Sequence, residues 1–250
     1  MKILPRIVFR FIVRLPIMFF GFIKDIIAVN KETKDAVSID LRNSGLHVFD
    51  RAIPQVEVAA LIGDFENLKS SRDMSANGQL SGRIYSEGIL SPLLAEHAEK
   101  VAPYIKSFLD TEKIKVEISY YQESFPAKTS DDVPGGEFHV DDNKANLKYF
   151  IYLTDVDIEN GPFSCVPSTG SWKLKGSLVR GIFWELTKQR KYLYEYLINT
   201  EQCIQREVKI IGSAGFNFLV DTTGLHRAHP VIKGSRKVAV ISFNRSSFFG

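Results

Sequence analysis

Cysteine is nearly missing from this chain of 250 residues: Cys165 and Cys203 are the only two, and they lack CxxC spacing. Two cysteines so placed cannot build a disulfide framework, which suits a reducing compartment and points to the cytoplasm. A basic tract is missing as well. The net charge is +3 with lysine and arginine scattered along the chain, so nothing asks for nucleic acid and that class of partner is set aside. There is no internal repeat and no low-complexity segment. No uncharged apolar run approaches the roughly 20 residues of a spanning helix. The longest in the apolar N-terminal stretch, Leu15 to Ile23, falls far short, and no small-residue cleavage site follows it as in a secretory signal. Histidine is scarce too, with five in the chain, so the place of each one carries information.

The N-terminal segment "MKILPRIVFRFIVRLPIMFFGFIKDIIAVN" sets Arg6, Arg10 and Arg14 at helical spacing beside Ile, Val, Phe and Met. Residues 1–30 therefore read as an apolar, basic helix that either lies at a membrane interface or packs on protein. Peripheral membrane contact through this segment is the expected partner, alongside a small-molecule, lipid or glycan substrate. The remainder, 31–250, reads as one domain with helical support over 54–110 and a β-rich core over 115–246. "PQVEVAALIGDFENLKSS" (54–71) and "SPLLAEHAEKVAPYIKSFLD" (91–110) carry helical apolar spacing, with Pro103 expected to bend or break the second.

From Lys115 the period changes to two. "KVEISYYQ" alternates with Val116, Ile118, Tyr120 and Gln122 on one face; "EFHVD", "LKYFIYLTDV", "EVKII", "FNFLVD" and "KVAVISF" follow as strand candidates, separated by turn signals. A helical insert, roughly Ser177 to Asn199, interrupts them. Helices first and short strands later give an α+β chain, mainly β, whose second half is an antiparallel sandwich or barrel.

In "GEFHVDD", His139 and Asp141 are two residues apart, which in an extended segment puts an imidazole and a carboxylate on one face. They are a metal-ligand pair if a third ligand exists. His226, where "FNFLVD" runs into a turn, is the candidate; two imidazoles and one carboxylate form the facial triad of non-haem Fe(II) oxygenases, with open positions for cosubstrate and O2. His229 competes for that position, but it is followed by Pro230 and is less well placed relative to the strand end. Arg236 shares the parity of Val238 and Val240, so an inward-facing guanidinium is expected there, and a bidentate carboxylate is its best partner. His47 and His97 sit in the helical half with no carboxylate in register, and the acidic turn "TDVDIEN" reads as solvated. Trp172, Phe183, Trp184 and Tyr192 either line a substrate pocket or bury a helix against the barrel.

These residues resemble the phytanoyl-CoA dioxygenase family of Fe(II)- and 2-oxoglutarate-dependent oxygenases. The resemblance rests on "FHVDD", "LKYFIYLTDVDIENGPFSCVPSTG" and "DTTGLHRAHPVIKGSRKVAVISF", and covers about residues 115–245. It implies a double-stranded β-helix (a cupin-like jelly-roll) with N-terminal helices, and Fe(II) on His139, Asp141 and His226. It also implies Arg236 on the distal carboxylate of 2-oxoglutarate, and Gln122 in the place of a cosubstrate-contacting glutamine of some members. The implied activity is hydroxylation of an organic substrate coupled to conversion of 2-oxoglutarate and O2 to succinate and CO2. Asp141 argues against halogenation, since similar halogenases replace that carboxylate with a small residue. Two departures stand out: Pro167-Ser168-Thr169-Gly170-Ser171 replaces a Gly-Ser-His turn, and Ala228 replaces a hydroxyl residue two positions after the distal histidine. A non-catalytic jelly-roll that binds a membrane or protein partner is the alternative from another class.

Overall fold

The computed structural model describes residues 35–72, 75–76, 81–127, 135–141, 146–170 and 205–245. The apolar N-terminal segment, the insert over 177–199 and the aromatic residues Trp172, Phe183, Trp184 and Tyr192 lie outside them. Three helices come first: α1 (Ala36–Ser44), α2 (Gln55–Ser71) and α3 (Pro92–Leu109). Asp35 caps α1 by accepting a hydrogen bond from the Ser38 amide at 2.7 Å. Ser91 caps α3, with Pro92 in the first turn, where its missing N–H costs nothing. The break allowed for at Pro103 does not occur, and α3 runs on through it. Pro103 is solvent-exposed, so water can serve the carbonyl that the proline ring leaves unbonded.

Ten strands follow or interleave: β1 (Leu46–Val48), β2 (Ser75–Ala76), β3 (Ser81–Glu87), β4 (Ile114–Ser124), β5 (Asn146–Tyr152), β6 (Phe163–Cys165), β7 (Val208–Ile210), β8 (Asn217–Asp221), β9 (His226–Ala228) and β10 (Arg236–Arg245). Seven form an antiparallel sheet in the order β1-β8-β5-β10-β4-β3-β2, and three form a smaller sheet, β7-β6-β9. The helical half thus contributes β1, β2 and β3 to the main sheet, which the helical periodicity around them conceals. This arrangement is a double-stranded β-helix.

The main sheet is buried on both faces, and strand alternation sorts its residues between two cores. Leu147, Tyr149 and Ile151 of β5, with Ala239, Ile241 and Phe243 of β10, meet Leu61 and Phe65 of α2 and Leu94, Ile105 and Phe108 of α3. Phe150 and Tyr152, with Val238 and Val240, point the other way and close on Phe163 and Ile210 of the smaller sheet. Val116 departs from the expected face. The pairing of β4 with β10 shifts register between Ser242 and Phe243, leaving Glu117 as an extra residue; this moves Val116 to the helix side while Ile118 stays between the sheets.

Candidate metal and cosubstrate site

The site is built on the edge of the smaller sheet that faces the main one. His139 and His226 are an antiparallel pair: each amide donates to the other's carbonyl at 3.0 Å. Residues opposite one another in such a pair share a face, and the imidazole centroids lie 4.3 Å apart. Beyond this bridge the "EFHVD" segment does not extend into a regular strand; Asp141 is placed by its own amide, which donates to the Thr222 carbonyl at 3.1 Å. The three side chains meet. Asp141 Oδ1 is 3.8 Å from His139 Nε2, Oδ2 is 3.6 Å from His226 Nε2, and one ligand atom from each residue lies within 4.8 Å of the others.

Both rings are presented in the tautomer a metal needs. His139 Nδ1 lies 2.8 Å from the Glu137 carbonyl and His226 Nδ1 lies 3.0 Å from the Gly224 carbonyl. A carbonyl only accepts, so each Nδ1 carries the proton and each Nε2 presents its lone pair to the shared point. Local sequence makes this possible. Gly135 has φ 77°, and a Cβ there would come within 3.0 Å of His139 Cε1. Its carbonyl accepts from the Ala228 amide at 2.8 Å, so the glycine ties the turn to β9. Phe163 stacks on the His226 ring at 5.5 Å, and the Thr169 hydroxyl accepts from the Leu225 amide at 2.8 Å, holding the turn that delivers His226.

Electrostatics keep the carboxylate ionised. Burial pushes the Asp141 carboxyl up, but the Lys148 ammonium 2.7 Å from Oδ2, and then His226, outweigh it and hold the group well below the usual carboxylate range. Burial likewise pulls Lys148 down, and Asp141 more than reverses it, so the lysine stays charged.

Arg236 lies on the inner face of β10 with Val238 and Val240, and is 4 % exposed. Its Nη2 donates to Ser124 Oγ at 3.3 Å, while Nε and Nη1 are buried with no hydrogen-bond partner among the described residues. Two unmet donors on a buried cation call for an anion, and a carboxylate fits the guanidinium fork. Gln122 is one link away: its amide nitrogen donates to Ser124 Oγ at 3.0 Å and its oxygen accepts from Arg83 Nη2 at 2.8 Å. Arg83 itself stacks 4.0 Å over the Tyr120 ring. The sequence reading missed Arg83 and Lys148. The available signal for Lys148 was a lone charge inside "LKYFIYL", a run buried on both faces.

The other histidines are occupied elsewhere. His229 Nε2 lies 2.8 Å from Glu207 Oε1, in a cluster with Arg227 and Ser164. His47 and His97 do have carboxylate neighbours, contrary to the sequence reading: Asp40 at 2.7 Å and Glu57 at 3.6 Å, both supplied by adjacent helices. Neither joins the triad, which among the described residues is the group suited to hold a metal ion. Asp157 accepts from the Glu159 amide of its own turn at 2.7 Å, and Asp155 from the Ala214 amide of the turn before β8 at 2.9 Å.

No protein-family model and no curated protein matches the chain. Solved structures do. The non-haem alpha ketoglutarate dependent carbocyclase SnoK from nogalamycin biosynthesis superposes with a TM-score of 0.63 at 17% identity, over 87% of this chain and 86% of that one. EctD from S. alaskensis with bound Fe gives 0.62 at 17% identity, over 86% and 78%. HygX from Streptomyces hygroscopicus with nickel and 2-oxoglutarate bound gives 0.59 at 14% identity, over 87% and 89%. At these identities the likeness establishes the shared double-stranded β-helix.

Proposed function

We propose that this chain is an Fe(II)- and 2-oxoglutarate-dependent dioxygenase that hydroxylates an organic substrate, consuming O2 and releasing succinate and CO2. One observation carries the reading: two imidazoles locked in the metal-binding tautomer converge with a carboxylate, and a buried, half-unpaired arginine lies on the inner face of β10. His139, Asp141 and His226 would hold the iron, and Arg236, braced by Ser124 and Gln122, would take the distal carboxylate of 2-oxoglutarate. When bound, iron with its keto acid supplies the oxidising power that puts one oxygen atom of O2 into a substrate C–H bond and the other into succinate. Phe163, Val140 and Leu225 keep water from the back of the ligand set. Solved examples of the fold that carry iron, or nickel with 2-oxoglutarate, support this assignment. Asp141 favours oxygen transfer over halide transfer, and the motif residues favour the phytanoyl-CoA dioxygenase-like branch. A non-catalytic jelly-roll has no use for both three convergent ligands and an unsatisfied buried guanidinium.

The test is spectroscopic. The anaerobic protein should bind one Fe(II) and, on addition of 2-oxoglutarate, develop the weak visible charge-transfer band of a chelated keto acid. His139→Ala, Asp141→Ala and His226→Ala should each lose that band and His229→Ala should keep it. A wild-type protein without the band refutes the proposal; a band lost only in His229→Ala refutes the ligand assignment.

For residues 1–30 we propose contact with an anionic membrane surface on the cytoplasmic side, which suits a lipid-linked, acyl or glycan substrate. The basic residues Arg6, Arg10, Arg14 and Lys24 accompany the aromatics, each contributing about 1 kcal/mol near anionic headgroups. Among the described residues no helix is long and apolar enough to cross a membrane. Binding to anionic vesicles should fall steeply as salt rises. A full-length protein that ignores such vesicles, with a deletion of residues 1–28 that melts early, would decide for packing on protein instead.

A further inference from the structure

We propose that Lys148 is a positioning residue that keeps Asp141 Oδ2 for itself and so restricts this carboxylate to a single bond with the metal, a role that rests on the reading of the metal site above. Lys148 stands on β5 between Leu147 and Tyr149, both in the helix-side core, and its side chain shares the inner face with Phe150 and Tyr152. A charge on such a strand is costly unless it is paired. Its backbone is held from both sides, opposite Ser242 of β10 and Val220 of β8, which fixes the root of the side chain. Its Nζ reaches Asp141 Oδ2 at 2.7 Å as an ion pair, outside aligned hydrogen-bond geometry.

The choice of oxygen is what matters. Both oxygens of Asp141 face imidazoles, Oδ1 toward His139 at 3.8 Å and Oδ2 toward His226 at 3.6 Å, so geometry alone would let the carboxylate grip a metal with both. A bidentate carboxylate takes four of the six positions together with the two histidines. A chelating keto acid and O2 need three. An ammonium on Oδ2 removes one oxygen from the contest while leaving Oδ1 to the metal. Lysine suits this role better than arginine: a compact charge on a straight stem engages one oxygen, where a planar fork would engage both. The rival account is that Lys148 merely neutralises Asp141 and gives way when a metal arrives.

The two accounts separate in the full-length protein with Lys148→Met, which preserves stem and volume, and Lys148→Gln, which can still donate to Oδ2 without the charge. Anaerobic Fe(II) titration, 2-oxoglutarate titration followed by the charge-transfer band, and thermal melting of the metal-free proteins are the measurements. Lys148→Met should bind Fe(II) at least as tightly as wild type, yet bind 2-oxoglutarate about 10-fold more weakly with a displaced band, in the range seen for groups that orient metal ligands. Lys148→Gln should recover most of that loss. Wild-type 2-oxoglutarate affinity and an unmoved band in a folded Lys148→Met overturn the role, as do Fe(II) and 2-oxoglutarate affinities that fall together with the melting temperature in both variants. A wild-type protein with no band at all sinks the metal reading, and this role with it; a normal wild-type band beside an unaffected Lys148→Met sinks this role alone.

Discussion

Two clusters of histidine and carboxylate stand a few residues apart in this chain, and they are built to opposite ends. Around Glu207, every donor has an acceptor: Arg227 gives two hydrogen bonds at 2.8 Å, Ser164 gives one, and His229 Nε2 closes the set at 2.8 Å. Around Asp141, both Nε2 atoms face the carboxylate while each Nδ1 is committed to a backbone carbonyl, and Lys148 pairs with Oδ2. An ion-pair cluster uses up its hydrogen-bonding capacity; a metal site keeps acceptors aimed at one point. Composition alone does not separate the two, because His226 opens β9 and His229 follows its last residue, three positions on. The direction in which Nδ1 or Nε2 is committed does.

Removing either kind of cluster should therefore fail in a different assay. The largest effect is expected for His226→Ala or Asp141→Ala, which should weaken Fe(II) binding by at least ~100-fold in anaerobic titration, while His229→Ala stays within about twofold. Next comes Arg236→Ala: 2-oxoglutarate should bind about 2–4 kcal/mol more weakly with Fe(II) affinity unchanged, and Gln122→Ala should cost about 1 kcal/mol in the same titration. Glu207→Gln should leave both ligands bound but lower stability to urea by about 1–3 kcal/mol, because charge-assisted bonds to three neighbours are lost.

Glu207→Gln has a pH signature. Burial pushes Glu207 up, but hydrogen bonds from His229, Arg227 and Ser164 hold its carboxyl far below the ordinary 4.5. A depressed folded-state pKa gives stability that is present above 4.5 and is lost as pH falls from there toward the folded value. Wild-type unfolding free energy should drop across that acid window, and Glu207→Gln should drop less. The smallest effect is expected for Thr169→Val, which leaves the Leu225 amide without its acceptor: about 1 kcal/mol of stability, with a slight loss of Fe(II) affinity because His226 is held less firmly.

The triad and the inward arginine were legible because each depends on local parity: His139 and Asp141 two apart, Arg236 in step with Val238 and Val240. Helices α2 and α3 were legible from apolar spacing and their prolines. What local parity could not supply is register. The bulge at Glu117 that turns Val116 away, and the pairing that sets Lys148 opposite Ser242, are decided by partners more than a hundred residues distant in one case and nearly as many in the other. Strands β1 and β3 were hidden for a related reason: short segments flanked by helices carry too few alternations to announce a period. Arg83 was lost with β3.

The mutual hydrogen bonds of His139 and His226 have a topological meaning. They join two segments from different thirds of the chain, so an ion gripped by these residues closes a long loop as a disulfide would, in a chain whose one described cysteine, Cys165, is buried and free. Occupancy and unfolding are then coupled. At a hundredfold excess over the dissociation constant the loaded form gains about 2.7 kcal/mol against the unfolded chain, and chelation should release the 135–141 segment to hydrogen exchange before the main sheet opens.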